Sequence, residues 1–481
     1  MNTNLLAARR AVCLATALLA LLASAGVARA QSAQADSFFR RERFLQEDIR
    51  RRLDADRPAD QKVLLEYGGY IIPEWQEYDD LQDEANLRRI DLRLWGQVVI
   101  DDVHRVYARM RLVWTQFGPG DSPFGWKSDL DGPKLDQLFY ELWVSKAAEK
   151  YFGQKWPVDA RLTLGRQFVE FGHGLALSTT LEGGTLRLET GQWRLTALLA
   201  NTVRSDNNID RSPPVADHMD RLFAGFELEC LALSRHRPFF YYFAQSDNTH
   251  EKPKVDQNFE YDSQYIGFGS TGELVDRLRY ATEAVFELGT GHNALPPVGQ
   301  RVAGGPLHNV VRAFAFDQLF EYYFRGPHQP VISAEYALAT GDDDRTFAAG
   351  TSGGNTDRRD NAFLGFGYLN TGLSFAPGFT NLQFVRLGGR IKPLPKVKCL
   401  ENLEVGTDFF MFWKQKHGAP IDDFRATTAA HDLGHEVDIY ANWRVLSDVA
   451  LTVRYGRFWS GDAFPDEEKR DYLFAGLLYS F

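Results

Sequence analysis

Arginines spaced two or four residues apart recur along this chain of 481 residues. Arg105, Arg109 and Arg111 form one group, Arg277 and Arg279 a second, and Arg386, Arg390 and Lys392 a third. Arg93, Arg444 and Arg454 stand singly in stretches of the same texture. A guanidinium is a flat, permanently charged fork that takes a carboxylate bidentately. Residues spaced by two share one face of a β-strand. A row of such forks would lower the barrier for an anion, and acids set among them would keep it from binding too tightly to leave. Asp91, Glu141, Glu283, Glu287, Glu436 and Asp438 are placed to do that. The alternative is a lining in which these charges only pair with one another across a wet surface.

The elements that must carry these residues alternate with a period of two. In 90–100, Ile90, Leu92, Leu94, Val98 and Ile100 oppose Asp91, Arg93, Trp95 and Gln97. In 103–117, Val106, Ala108, Met110, Leu112 and Trp114 oppose Arg105, Tyr107, Arg109 and Arg111, with Asp101-Asp102 between the two runs as a two-residue hairpin. Stretches 273–289, 382–392, 434–445 and 448–459 repeat the pattern, the last two around a tight turn at Leu446-Ser447-Asp448. Runs of about ten to fifteen residues are long enough to cross a bilayer at a tilt.

Nineteen stretches qualify: 63–75, 87–101, 103–117, 135–148, 158–169, 184–190, 192–203, 219–233, 237–247, 259–270, 273–290, 308–324, 329–341, 361–374, 379–395, 400–415, 434–445, 448–459 and 470–481. Closed bacterial barrels use even numbers, so the expectation is eighteen strands and one false candidate. Long polar segments alternate with the tight turns: Pro119 to Pro133, Arg204 to Asp217, Gly291 to Pro306, Gly341 to Asp360 and Lys416 to Gly434. Together these features predict an all-β fold, a closed antiparallel transmembrane β-barrel over 63–481.

Composition agrees. Aromatic residues make up 13% of the chain and hydrophobic residues 44%, with a negative mean hydropathy. That is too polar for a helical membrane protein, and it is the mixture given by a lipid-facing band, aromatic girdles and a polar interior. The amino terminus reads as a secretory signal peptide over 1–30: Arg9-Arg10, an apolar run from Ala11 to Ala25, and Ala28-Arg29-Ala30 before Gln31. Loss of its three Arg takes the formal charge from −10 to −13, an acidic excess that argues against nucleic acid. Residues 31–62 follow as a periplasmic segment, with Phe38, Leu45, Ile49 and Leu53 at helical spacing over about 37–53. That helix would be a solvated leader, or would plug the lumen or dock a partner. Cys230 and Cys399 are expected to form neither a disulfide nor a zinc site.

Several motifs carry a family resemblance. Ile90-Asp91-Leu92-Arg93-Leu94-Trp95 is similar to the IDLRPW stretch of bacterial alginate-export outer-membrane proteins. Tyr140-Glu141-Leu142-Trp143-Val144 resembles their REFWV, Leu164-Gly165-Arg166-Gln167 their FGRQ, and Asn381-Leu382-Gln383 their SNLQ. Val453-Arg454-Tyr455 with Gly461-Asp462-Ala463-Phe464 resembles their penultimate strand and its GDAY loop. The resemblance implies a monomeric barrel of eighteen strands in the outer membrane of a Gram-negative bacterium. It implies a narrow electropositive pore that passes alginate by passive facilitated diffusion, with Arg93 and Arg454 as pore-lining arginines. Tyr140 and Phe168 stand where the family has Arg, and no Lys occurs in 65–71. This thinner arginine tract suits a uronate-containing or other acidic polysaccharide, or small anions. A general or nutrient-uptake anion-preferring porin with no polymer partner is the second reading. A structural protein with a plugged lumen is the third. Arg166 falls on the lipid face by strict alternation, unless a bulge at Gly165 corrects the phase.

Catalysis is not expected: His173 and Ser178 lie close in sequence, but without a G-x-S-x-G turn. No cofactor is expected. Asp342, Asp343 and Asp344 could take a loop Ca²⁺ as clustered carboxylates, although an acidic turn is the simpler reading. Expected partners are outer-membrane lipid and lipopolysaccharide, the barrel-assembly machinery, the anionic polysaccharide and a periplasmic export partner. The last stretch, Tyr472 to Phe481, places Leu473, Ala475, Leu477, Tyr479 and Phe481 on one apolar face. An aromatic terminal residue on such a strand resembles the signal read by the assembly machinery.

Overall fold

The structure is a computed structural model that describes residues 63–79, 84–121, 127–203, 220–249, 260–292, 308–345, 350–351 and 354–481. The expected signal peptide and the helix at 37–53 lie outside the described residues, as do 204–217 and most of 291–306.

Alternation of apolar and polar residues produces long antiparallel strands, each hydrogen-bonded to its sequence neighbour. They are β1 (Val63–Asp79), β2 (Glu84–Ile100), β3 (His104–Phe117), β4 (Ser128–Trp143), β5 (Asp159–Phe171), β6 (Leu177–Glu189), β7 (Trp193–Thr202), β8 (Arg221–Cys230) and β9 (His236–Asp247). There follow β10 (Asp262–Val275), β11 (Leu278–His292), β12 (His308–Tyr323) and β13 (Val331–Ala339), then the two-residue β14 (Arg359–Asp360). The rest are β15 (Leu382–Ile391), β16 (Leu403–Lys414), β17 (Asp432–Arg444), β18 (Val449–Ser460) and β19 (Lys469–Ser480). β13 pairs directly with β15, while β14 only touches β12, in parallel. β1 pairs with β19. Eighteen strands therefore close the wall, with β14 outside the count.

The surplus candidate, 361–374, is not a strand. It belongs to a segment of about twenty residues between β14 and β15 that folds into the barrel. Its apolar residues alternate because they pack inward on both sides of the segment. Phe366 meets Phe223 at 5.2 Å and Tyr265 at 6.0 Å. Phe375 stacks on Phe458 at 4.3 Å and meets Phe412 at 5.1 Å. These rings belong to two buried apolar clusters inside the barrel.

The candidate at 135–148 is also corrected. Its last part is the helix α1 (Val144–Phe152), closed by Gly153 in the left-handed conformation (φ 67°) that glycine adopts without strain. The polar stretch 119–133 gives up its end to β4. The hairpin at 101–102 is one residue longer than expected: Ile100 pairs with His104. Asp101 and Asp102 have positive φ, 57° and 59°, as in a type I′ turn, and Val103, whose N–H donates to the Ile100 carbonyl, is the extra residue. Most connections at the rim where β1 begins and β19 ends are short, the longest being 144–158, which holds α1, and 392–402. Most long ones sit at the other rim, where 80–83 and 172–176 are the short exceptions. Cys230 closes β8 and Cys399 lies between β15 and β16, each as a free thiol.

Candidate functional site

β2, β3 and β4 build one charged wall of the lumen. Asp91, Arg93 and Gln97 on β2 are buried on the inner face, while Leu94 is exposed on the outer. The Arg93 guanidinium lies on Asp91 through two bonds of 3.1 Å and donates to Asp136 at 3.2 Å. Asp136 faces inward because β4 bulges there. Gln137 pairs with Arg109 and Leu135 with Met110, which leaves Asp136 as the extra residue. Arg109 Nε donates to it at 2.8 Å. Arg111 and Arg89 approach Asp91 at 3.4 Å and 3.5 Å. Two carboxylates thus serve four arginines.

Toward the rim of the chain ends, Arg105 Nε donates to Gln97 at 2.8 Å. Its guanidinium sits 5.5 Å from the rings of both Tyr107 and Phe139. Glu141 lies 4.0 Å from Arg105 on one side and 4.0 Å from Arg161 of β5 on the other. Arg161 in turn covers the Trp143 ring at 3.7 Å. Arg187 and Arg194 meet Glu189 at 3.9 Å and 2.8 Å.

The remaining arginines named from sequence divide. Arg386 is buried, paired with Glu335 and 5.8 Å from the Phe410 ring. Arg390 pairs with Glu321 at 3.0 Å and Glu404 at 3.7 Å, and Arg279 lies over Tyr323 at 4.9 Å. Arg454 lies on the inner face of β18, within electrostatic reach of Asp438 and Tyr472. Arg444 ends β17 and donates to the Ser447 carbonyl in the turn, at 2.9 Å.

Arg277 is a correction. It occupies the β10–β11 turn with φ 68° and pairs with its neighbour Asp276 at 3.1 Å, because the hairpin closes through the Val275–Leu278 pair and leaves Asp276 and Arg277 as the turn. Lys392 lies past the end of β15. Arg166 keeps the outward face. The register runs unbroken through Gly165 against both β4 and β6, and Glu182 with the Leu135 carbonyl satisfies the guanidinium.

Three of the acids expected to temper the lumen, Glu283, Glu287 and Glu436, do something else. Glu436 accepts the backbone N–H groups of Leu373, Ser374 and Phe375 at 2.6, 2.7 and 2.7 Å. Glu287 accepts that of Leu364 at 2.8 Å and the Tyr261 hydroxyl at 2.6 Å. A second inward segment, 172–176, is held in the same way. Glu227 takes the Gly172 N–H at 2.7 Å, and Glu283 the His173 N–H at 2.8 Å and the Tyr241 hydroxyl at 2.6 Å. Buried backbone N–H groups need partners, and these carboxylates supply them. His173 packs edge-on against Phe239 at 5.1 Å, and the Ser178 hydroxyl donates to Glu170 at 3.1 Å. The two do not form a nucleophile–base pair.

Asp342 is likewise structural. It accepts from Asp344 N–H at 2.9 Å, Asn355 Nδ2 at 3.1 Å, and Asn361 N–H and Nδ2 at 2.8 and 2.7 Å. Burial raises its pKa, but these bonds outweigh burial and hold the carboxyl below its ordinary range. No group of three or more His, Cys, Asp or Glu suited to a metal occurs among the described residues.

Residues 80–476 match the family model described as alginate export. The chain belongs to that family. Membership makes it a channel protein of the Gram-negative outer membrane. The fold is also similar to solved barrels. Pseudomonas aeruginosa OccK5 (OpdH) is 12% identical with a TM-score of 0.52, over 87% of this chain and 98% of that one. Pseudomonas aeruginosa OpdL is 15% identical with a TM-score of 0.52, over 87% and 98%. Acinetobacter baumannii OccAB1 is 10% identical with a TM-score of 0.51, over 87% and 97%. At such identities the likeness is one of fold. No curated protein matches the sequence.

Arg89, Arg161, Arg187 and Arg194 join the inner face without having been singled out from sequence, although period two in their strands was enough to find them. Asp136 had no signal, since the bulge that turns it inward breaks the period.

Proposed function

We propose that this family member is a passive channel with anion preference, and that it passes an acidic polysaccharide or its fragments along the wall formed by β2 to β6. One contrast carries the reading. Glu283, Glu287 and Glu436 are fully buried and spend their oxygens on the inward segments. Arg111, Arg161 and Arg187 keep side-chain exposures of 32%, 22% and 32%. The acids on one side are withdrawn from the solute and the bases on the other are offered to it. A guanidinium matches a uronate carboxylate in shape and charge. The salt links to Asp91, Asp136 and Glu141 stop the wall from becoming a trap.

The two inward segments favour a second reading, uptake of small anions, because they narrow the lumen. Polymer block separates the two. Purified protein in a planar bilayer is exposed to oligomeric alginate, then to neutral dextran of equal size. Current interrupted by alginate alone supports polymer passage; interruption by neither supports the small-anion channel.

A further inference from the structure

The helix α1 lies in the longest connection at its rim, 144–158, and its last turn lies outside the barrel wall. Lys150 Nζ donates to the Asp101 carbonyl at 2.9 Å, and the Tyr151 hydroxyl donates to Asp101 Oδ2 at 3.1 Å. The Tyr151 ring is stacked on His104 at 6.1 Å, and His104 on Tyr140 at 6.0 Å. His104 and Tyr140 belong to the outward set of β3 and β4. Val106 and Leu138, two residues further along the same faces, are 44% and 42% exposed. The helix is therefore clamped against the lipid-facing surface. Ala148, on its inner side, and Ala160, on the outward face of β5, are both buried where the two elements meet.

Beyond this clamp, Phe152 is 76% exposed and Trp156 49% exposed. Both lie in the connection between the end of β4 at Trp143 and the start of β5 at Asp159. The rim is the periplasmic one, since outer-membrane barrels keep their short connections there. Each ammonium group of this connection faces a partner on the protein: Lys146 the Trp143 ring at 3.4 Å, Lys150 Asp101 at 3.0 Å and Lys155 Glu149 at 3.2 Å. Aromatic insertion rather than headgroup charge is thus the chemistry on offer. Amphipathic aromatic groups at this depth sit at the boundary of headgroup and acyl chain.

We propose that α1 and the segment to Trp156 form a membrane-interfacial anchor, with Phe152 and Trp156 seated in the inner-leaflet phospholipid. The anchor fixes the depth and tilt of the β2–β5 side, the side that carries the arginine wall. It rests on the barrel's location in the outer membrane and not on what passes through it.

The test places a nitroxide at Phe152→Cys and, separately, at the water-facing Glu149→Cys, with Cys230 and Cys399 replaced by Ser. The barrel is reconstituted in phosphatidylethanolamine–phosphatidylglycerol vesicles. The label at 152 should be relaxed more by oxygen than by a water-soluble nickel chelate, and the label at 149 the reverse. Equal nickel access at both positions would overturn the proposal. So would shielding of 152 that arises only when periplasmic proteins are added, since that is a protein docking site. A second measurement leaves the cysteines intact. The emission difference between the parent protein and Trp156→Phe should be quenched by phospholipid brominated near the headgroup end of its acyl chains. No quenching would count against insertion independently.

Discussion

Gly69 and Phe481 exchange both of their backbone hydrogen bonds, each 2.9 Å long. The last residue of the chain is thereby the final rung of the seam between β1 and β19. The fit is close: a Cβ on Gly68 would lie 2.7 Å from the Phe481 carbonyl oxygen. Deleting Phe481 should therefore impair insertion and leave the exported chain to degradation, which heat-modifiable mobility on gels would report. Gly68→Val should act the same way, more weakly. Normal levels of folded barrel from the truncated chain would contradict this role for the terminal residue.

Glu436 holds three N–H groups of the inward segment. Glu436→Ala leaves them without that acceptor, at a cost of about 1–3 kcal/mol for each buried donor. The segment should loosen, single-channel conductance should rise, and the thermal midpoint should fall. Unchanged conductance together with an unchanged midpoint would show that the apolar packing of Phe375 alone keeps the segment in place.

Asp136 is shared by Arg93 and Arg109. Asp136→Asn removes one negative charge between two buried guanidiniums. Stability should drop by up to about 3–5 kcal/mol, the scale for breaking a buried pair, and anion preference should increase. A variant with lower anion preference would contradict the assignment of Asp136 as a counter-charge in the lumen.

Asp342 organises the connection after β13. Its carboxyl is held below the ordinary value of 3.8, so its contribution is full at neutral pH and is lost as pH falls through and below that value. Asp342→Ala should speed proteolysis of this connection at pH 7 several-fold. Added calcium or chelator should change neither the parent nor the variant, since the Asp342 oxygens are already taken. Protection by calcium would restore the cation-site reading.

Much of the wall was legible because a strand between lipid and lumen writes its two environments into alternate residues. Arg93, Arg109 and Arg454 could be placed on the inner face by counting in twos. The same rule misled at 361–374, where Ala362, Leu364, Phe366 and Tyr368 alternate as a strand would yet the segment folds inward. What sets that segment apart is its backbone, which is satisfied by Glu287 and Glu436 from distant strands, and such long-range partners leave no local pattern. Asp136 was hidden for a related reason, since one extra residue shifts the phase. Arg277 falls one residue outside β11 because hairpin closure, and not polarity, decides where a strand ends.

The central claim is that Glu227, Glu283, Glu287 and Glu436 are withdrawn onto the inward segments while arginines of β2 to β6 face the solute. The reversal potential of the purified channel in a planar bilayer, under a tenfold gradient of potassium chloride, tests it most directly. The account predicts a potential of the sign set by chloride, moved toward zero when Arg111, Arg161 and Arg187 are together replaced by Gln. A potential of the sign set by potassium, or one that the triple replacement leaves in place, would contradict it.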